Sequence, residues 1–220
     1  MKSLIKRTLV PPGRKLRRLH GGIAHSQMMA IDLQSQMQRY LGLDERELAG
    51  IVSQLISSCR TLVDVGANDG YYTMAFLASS ADRVIACEPG PASIELLANA
   101  AANGHQISKR FLLERRLIGN KANEAKLSEI LADHPRPIFV KVDVDGGELG
   151  VLESARNHPT LNQISWVVET HSVELERACI DWFSNHRFHT EIVDAAWWRR
   201  LIPEQRPLLQ NRWLIAQPSP

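Results

Sequence analysis

The 220-residue chain has no closely spaced pair of cysteines: Cys59, Cys87 and Cys179 stand alone. An odd, scattered set excludes a disulfide framework and a zinc knuckle. It fits a reducing compartment, so a cytoplasmic location is expected. An excess of either charge is lacking too. Lys and Arg number 26 against 24 Asp and Glu, a formal net charge of +2, too small to predict a nucleic-acid partner. No apolar run is long enough to span a bilayer, and internal repeats and low-complexity blocks are absent. What remains is an ordinary globular composition, 44% apolar and 23% charged. The length suits one α/β domain with a full core and is too short for two large ones.

The one lopsided stretch is N-terminal. Lys2, Lys6, Arg7, Arg14, Lys15, Arg17 and Arg18 all precede the first acid, Asp32, and Pro11-Pro12-Gly13 breaks up the apolar residues needed for a secretory signal. Residues 1–29 are expected to form a basic arm. It either docks loosely or touches an anionic surface, giving a peripheral membrane or partner contact. Deleting residues 1–20 is expected to leave a cofactor site intact. The rest, 30–217, reads as a single domain: a helical cover over 30–60, with Leu33, Met37, Tyr40 and Leu41 and then Leu48, Ile51, Val52, Leu55 and Ile56 at helical spacing, and a core over 61–217.

That core is organised around Thr61–Tyr72, TLVDVGANDGYY. A β-branched run carrying Asp64 breaks into Gly66, Ala67, Asn68, Asp69 and Gly70 before a helix. Glycines let the backbone turn tightly and approach a ligand, and the helix start offers free N–H groups. The loop lacks the middle glycine of a dinucleotide fingerprint, and Asp69 is expected to repel a phosphate. An acid ending the first strand suits a ligand with an ammonium and no phosphate, such as S-adenosylmethionine; an NAD-linked oxidoreductase is the rival.

A second strand, Arg83–Cys87, closes with Glu88-Pro89, placing an acid where it would accept hydrogen bonds from ribose hydroxyls. A helix over 91–103 is expected to turn Ile94, Leu97 and Ala98 inward. A weak third strand spans Phe111–Ile118 and a short helix Leu127–Leu131. In Ile138–Val144, IFVKVDV, alternation sets Val140, Val142 and Val144 against Lys141, Asp143 and Asp145. Charges in an apolar central strand are costly unless paired or functional; an ion pair with Asp143 or Glu169 is the leading reading of Lys141. Ile164–His171 ends with Glu169 and His171 on one face. Acids therefore follow four separate strands: Asp64, Glu88, Asp143 and Glu169. In an open α/β sheet the carboxyl ends of the strands line the ligand crevice.

The segments VDVGANDGYYT, VIACEPGP, LLANAAANG, VKVDVDGGELGVLES and VVETH resemble the successive motifs of the FkbM family of S-adenosylmethionine-dependent methyltransferases, over roughly half the chain. Asp145 and Gly147 stand where glutamate and alanine are common in the family. The resemblance implies a class I, Rossmann-like three-layer sandwich: a mostly parallel seven-stranded sheet with an antiparallel last strand. It implies O-methylation of a sugar, glycan or secondary-metabolite hydroxyl. Asp64, Gly66, Ala67, Asn68 and Gly70 would hold the methionine moiety and Glu88 the ribose, with Asp69 and Pro89 in the same two motifs. Asp143 would face the methyl or amino group.

A hydroxyl nucleophile needs a base. The candidates are His171, Glu169, Asp143 and Glu148, and imidazole has the best-placed ordinary pKa. The same atoms offer a rival use, since Asp143, Asp145, Glu169 and His171 could hold Mg²⁺ or Mn²⁺ through hard oxygens and an imidazole. Trp197-Trp198-Arg199-Arg200 could stack on a sugar and grip an anion, or pack as an ordinary edge. Outside enzymes, the pattern also fits a non-catalytic cofactor-binding partner in a glycan-assembly complex.

Overall fold

The computed structural model describes residues 12–203 and 212–219. A two-stranded antiparallel ribbon, β1 (Lys15–Arg18) and β2 (Met28–Ile31), leads into a short helix α1 (Met37–Leu41), a 3₁₀ turn and helix α2 (Ala49–Ser58). The core then alternates strand and helix: β3 (Thr61–Val65), α3 (Tyr71–Leu77), β4 (Arg83–Cys87), α4 (Ala92–Ala102), β5 (Phe111–Glu114), α5 (Leu127–Ile130), β6 (Ile138–Val142), α6 (Glu148–Ala155), β7 (Ile164–Thr170), α7 (Val173–Asn185), β8 (Phe188–Val193) and β9 (Arg212–Pro218). The seven core strands form one sheet in the order β5-β4-β3-β6-β7-β9-β8. The first five run parallel, and β9 is antiparallel to both its neighbours.

The strands are near-continuous apolar runs because both faces of the sheet are covered. Alternate residues divide between two cores. Leu62, Phe139 and Val167 pack with the helices that follow the first two strands, among them Phe76 and Leu96. Val63, Val140, Val142 and Trp166 pack against α6 and α7 through Leu152, Cys179 and Phe183. Each of these larger side chains stabilises by about 1.5–3 kcal/mol when fully buried. Helix α7 starts cleanly because the Ser172 hydroxyl accepts from the Leu175 N–H at 3.1 Å. The parallel order brings the carboxyl ends of β3, β4 and β6 side by side, which is where the expected acids converge.

Four local expectations need correcting. Helix α4 buries Ser93, Leu96, Asn99 and Ala100, while Ile94 is 68% exposed and Ala98 is exposed. Asn99 takes an inward position because both ends of its amide are hydrogen-bonded, to Ala30 N–H and to the Asp69 carbonyl. The third strand stops at Glu114, and the following charged residues turn out of the sheet. In the cover, Ala30 and Ile31 belong to a strand, α1 is short, and Leu41 is exposed. Of the expected arm over 1–29, residues 1–11 lie outside the described residues. The remainder is folded in, with Leu19, Ala24 and Met29 buried. Among the described residues, no helix is long and apolar enough to cross a membrane.

Candidate functional site

The glycine loop is built against β4 and β6. The N–H groups of Gly66 and Ala67 both donate to the Cys87 carbonyl, at 3.0 and 3.1 Å, and the Asp143 N–H donates to the Val65 carbonyl at 2.9 Å. Gly66 has φ +82°, and a Cβ there would sit 1.8 Å from the Asp143 carbonyl oxygen. Only glycine permits that contact. Asn68, at φ +48°, donates its N–H to Glu88 Oε2 at 2.9 Å. Glu88 Oε1 accepts from the Gly90 N–H at 2.7 Å. The carboxylate is thus fixed at the end of β4 by two main-chain donors.

Beyond this loop lies a cavity of about 780 Å³. Of the residues named from the sequence, Gly66, Asn68, Glu88, Pro89, Asp143 and Asp145 line it. Asp64, Ala67, Asp69, Gly70, Glu148, Glu169 and His171 do not. Asp64 is 1% exposed. One of its oxygens accepts from the Thr73 hydroxyl at 2.6 Å, and the other has no hydrogen-bond partner among the described residues. Burial pushes its pKa up to about 6 against the opposing pull of Lys141. Asp69 is turned the other way, onto Arg14 and Arg39 at 2.9 Å each, so the expected clash with a phosphate does not arise from its side chain. The far wall comes from Leu117, Ile118, Gly119, Lys121 and Glu124. This stretch has no periodic pattern; its one sequence signal is the run of charges that ends β5.

At the β6–β7 end the side chains meet one another. Lys141 Nζ lies 2.9 Å from Asp143 Oδ2, as the sequence suggested, and 4.5 Å from the centre of the Tyr72 ring. Burial disfavours the Lys141 charge, but Asp143, Glu45 and Asp64 together outweigh it and raise the pKa. His171 Nδ1 is hydrogen-bonded to the fully buried Glu148. Its Nε2 lies 3.6 Å from Asp143, 3.5 Å from Asp145 and 3.8 Å from Glu169. The bond to Glu148, and then the surrounding carboxylates, outweigh burial and raise the imidazole pKa. Glu169 also accepts from the Trp213 indole N–H at 3.3 Å. Asp143, Glu169 and His171 each bring one donor atom within 4.8 Å of the others, a set that could hold a cation.

The Trp-Trp-Arg-Arg segment divides its roles. Arg199 is buried and donates to Glu47 and to the Leu43 carbonyl, with its guanidinium 4.2 Å over the Trp198 ring. It tethers the segment to the cover, and Trp197 is 77% exposed.

No family model matches the chain, and no curated protein matches it. Solved structures do resemble it. The FkbM methyltransferase of Methylobacillus flagellatus KT is 16% identical with a TM-score of 0.56, over 73% of this chain and 44% of that one. The ribosomal protein L11 methylase of Lactobacillus delbrueckii subsp. bulgaricus is 15% identical with a TM-score of 0.54, over 80% and 78%. An S-adenosylmethionine-dependent O-methyltransferase of Thermotoga maritima is 12% identical with a TM-score of 0.51, over 80% and 66%. The chain spans less than half the length of the FkbM protein. At such identities the likeness is one of fold: the chain has the class I methyltransferase fold, with its mostly parallel seven-stranded sheet and antiparallel last strand.

Proposed function

We propose that the protein binds S-adenosylmethionine in this cavity and methylates a hydroxyl of a sugar, glycan or secondary-metabolite acceptor. The observation that carries this reading is a cavity lined by the glycine loop, Glu88 and Asp143, with the Glu148–His171 pair behind its wall and His171 Nε2 3.6 Å from Asp143. The residues fit the cofactor. Gly66 leaves backbone free where any side chain would close the loop, and Glu88 stands where ribose hydroxyls would donate. Asp143, which lines the cavity, would present a carboxylate to a cationic centre of the ligand. When bound, S-adenosylmethionine supplies a methyl group on a sulfonium.

The chain's own work is to position the acceptor and to remove its proton. Nε2 of His171 takes the hydroxyl proton, which readies the oxygen to accept a methyl group that the sulfonium would give up, leaving as a neutral thioether. Nδ1, bonded to Glu148, fixes the ring and stabilises the imidazolium. A second reading rests on the three donor atoms of Asp143, Glu169 and His171. Mg²⁺ or Mn²⁺ held there would lower the acceptor's pKa and would replace His171 as the route to deprotonation. Contact of the basic N-terminal residues with a membrane or a partner belongs to the same proposal, with residues 1–11 outside the described part.

Calorimetric titration with S-adenosylhomocysteine, with NAD as the control, tests the cofactor. Micromolar binding of the first and none of the second is the expected result, and the reverse would overturn the reading. Methyl transfer to a sugar acceptor that survives a chelator supports His171 as the base. Loss on chelation and recovery with Mg²⁺ or Mn²⁺ supports the cation.

A further inference from the structure

The glycine loop has a second side, facing away from the cavity. Asp69 lies between Asn68, whose N–H is bonded to Glu88, and Gly70, which begins α3. Its side chain is 5% exposed and carries two guanidinium groups. Arg39 of α1 reaches both oxygens, at 2.9 and 3.1 Å. Arg14, just before β1, reaches Oδ2 at 2.9 Å and also bonds Glu95 at 2.6 Å and the Ala30 carbonyl at 3.0 Å. The Asp69 carbonyl accepts from Asn99, whose own oxygen accepts from the Ala30 N–H. Asn103, which caps the C-terminal end of α4, exchanges hydrogen bonds with both main-chain groups of Met28. The ribbon, α1 and α4 therefore all meet at one loop residue.

We propose that Arg14, Arg39 and Asp69 form a clamp by which the N-terminal ribbon positions the glycine loop for its ligand. Asp69 is a positioning residue. Asn68 is held in a left-handed conformation between two anchors, the Glu88 carboxylate before it and the clamp after it. Slackening the clamp lets the loop N–H groups drift from the cavity wall. Burial works against the Arg39 charge, yet Asp69, Asp44 and Glu45 outweigh it, so the cation is committed to this cluster. Because coupling between two sites is reciprocal, a ligand that orders the loop also tightens the ribbon. Removing residues 1–20, which deletes Arg14 and β1, is then expected to weaken cofactor binding, contrary to the separable arm suggested by the sequence.

The inference rests on the reading that this loop holds the cofactor, and the test separates the two. The full chain and its Asp69→Asn, Arg14→Met, Arg39→Met and Arg39→Lys variants are titrated with S-adenosylhomocysteine. Hydrogen exchange of residues 12–31 and 66–70 is followed with and without it. The expected result is binding weakened by about tenfold or more in Asp69→Asn and Arg39→Met, with partial recovery in Arg39→Lys, and slower exchange of 12–31 when ligand is added to the wild type. Arg14→Met removes a half-exposed side chain and keeps the test alive if Asp69→Asn does not fold. Wild-type affinity in folded variants, or ribbon exchange indifferent to ligand, overturns the clamp. If the wild type binds no S-adenosylhomocysteine, the cofactor reading falls. The clamp is then judged without ligand: exchange of 66–70 accelerated by Arg14→Met supports it, and unchanged exchange overturns it.

Discussion

The two ends of the candidate site, the cavity's glycine loop and the side-chain cluster beside Asp143, are held by different chemistry. At the β3–β4 end every donor is main chain: Gly66 and Ala67 to the Cys87 carbonyl, and Asn68 and Gly90 to the Glu88 carboxylate. At the β6–β7 end they are side chain on side chain: Lys141 with Asp143, Glu148 with His171, and Trp213 with Glu169. An end built from backbone depends on conformation and tolerates most side chains that do not alter it. An end built from side chains depends on the identity of each. The first arrangement suits recognition of a constant ligand, and the second suits chemistry that one substitution can switch off.

Gly66→Val should break the contrast outright, because Gly66 touches both ends. With a Cβ at 1.8 Å from the Asp143 carbonyl and φ +82°, a loss of stability above about 4 kcal/mol is expected. Thermal unfolding would show it, together with loss of S-adenosylhomocysteine binding in whatever folds. His171→Ala acts on one end alone. The expected result is a kcat lower by about 10²–10⁴-fold with the S-adenosylhomocysteine affinity kept. An equal loss in both would mean that the two ends are not separable.

Asp64→Asn sharpens the comparison at the strand between them. The folded-state pKa of Asp64 lies near 6, above the ordinary 3.8. The carboxyl therefore favours folding when protonated, and stability is lost as the pH rises from about 4 through 6. The asparagine variant, which keeps an acceptor for Thr73, should be more stable than the wild type above pH 6 by about 2–3 kcal/mol. That advantage should vanish below pH 4; unfolding midpoints in urea across that range would test it. The smallest effect is expected from Glu88→Gln. Its amide nitrogen would meet an N–H donor, from Asn68 or Gly90, and S-adenosylhomocysteine affinity should fall by about tenfold, roughly 1.4 kcal/mol, as calorimetry would read. A much larger loss would show that the charge, beyond loop geometry, holds the ligand.

The strand ends were readable in the sequence because a parallel sheet covered on both faces leaves unbroken runs of Val, Ile and Leu. An acid at the end of such a run stands out. Lys141 was readable for the same reason, and its partner Asp143 is two residues away. Helix α4 misled because periodicity counts apolar residues, while the inward position belongs to Asn99, whose amide is satisfied by groups 69 and 30 residues away. Asp69 was read by its charge and its place in the loop. Its partners, Arg39 and Arg14, are 30 and 55 residues distant, and no local pattern announces them. The wall over 117–124 gave no signal beyond the charges that end β5, since it is shaped by turns such as the Lys121 N–H bonded to Glu124.

The place of β9 also governs the order in which the molecule can be made. Among the described strands, β8 pairs only with β9, and β9 lies between β8 and β7. As the chain leaves the ribosome from its N-terminus, β7 emerges with an open edge and β8 with no strand to lie against. Both wait for the segment that begins at Arg212. Until it arrives Glu169 lacks its bond from Trp213, so the nascent protein can hold a formed glycine loop while its reactive end is still unfinished. A chain truncated between β8 and β9 and released would display that half-made state, with an unpaired strand edge open to any chain nearby.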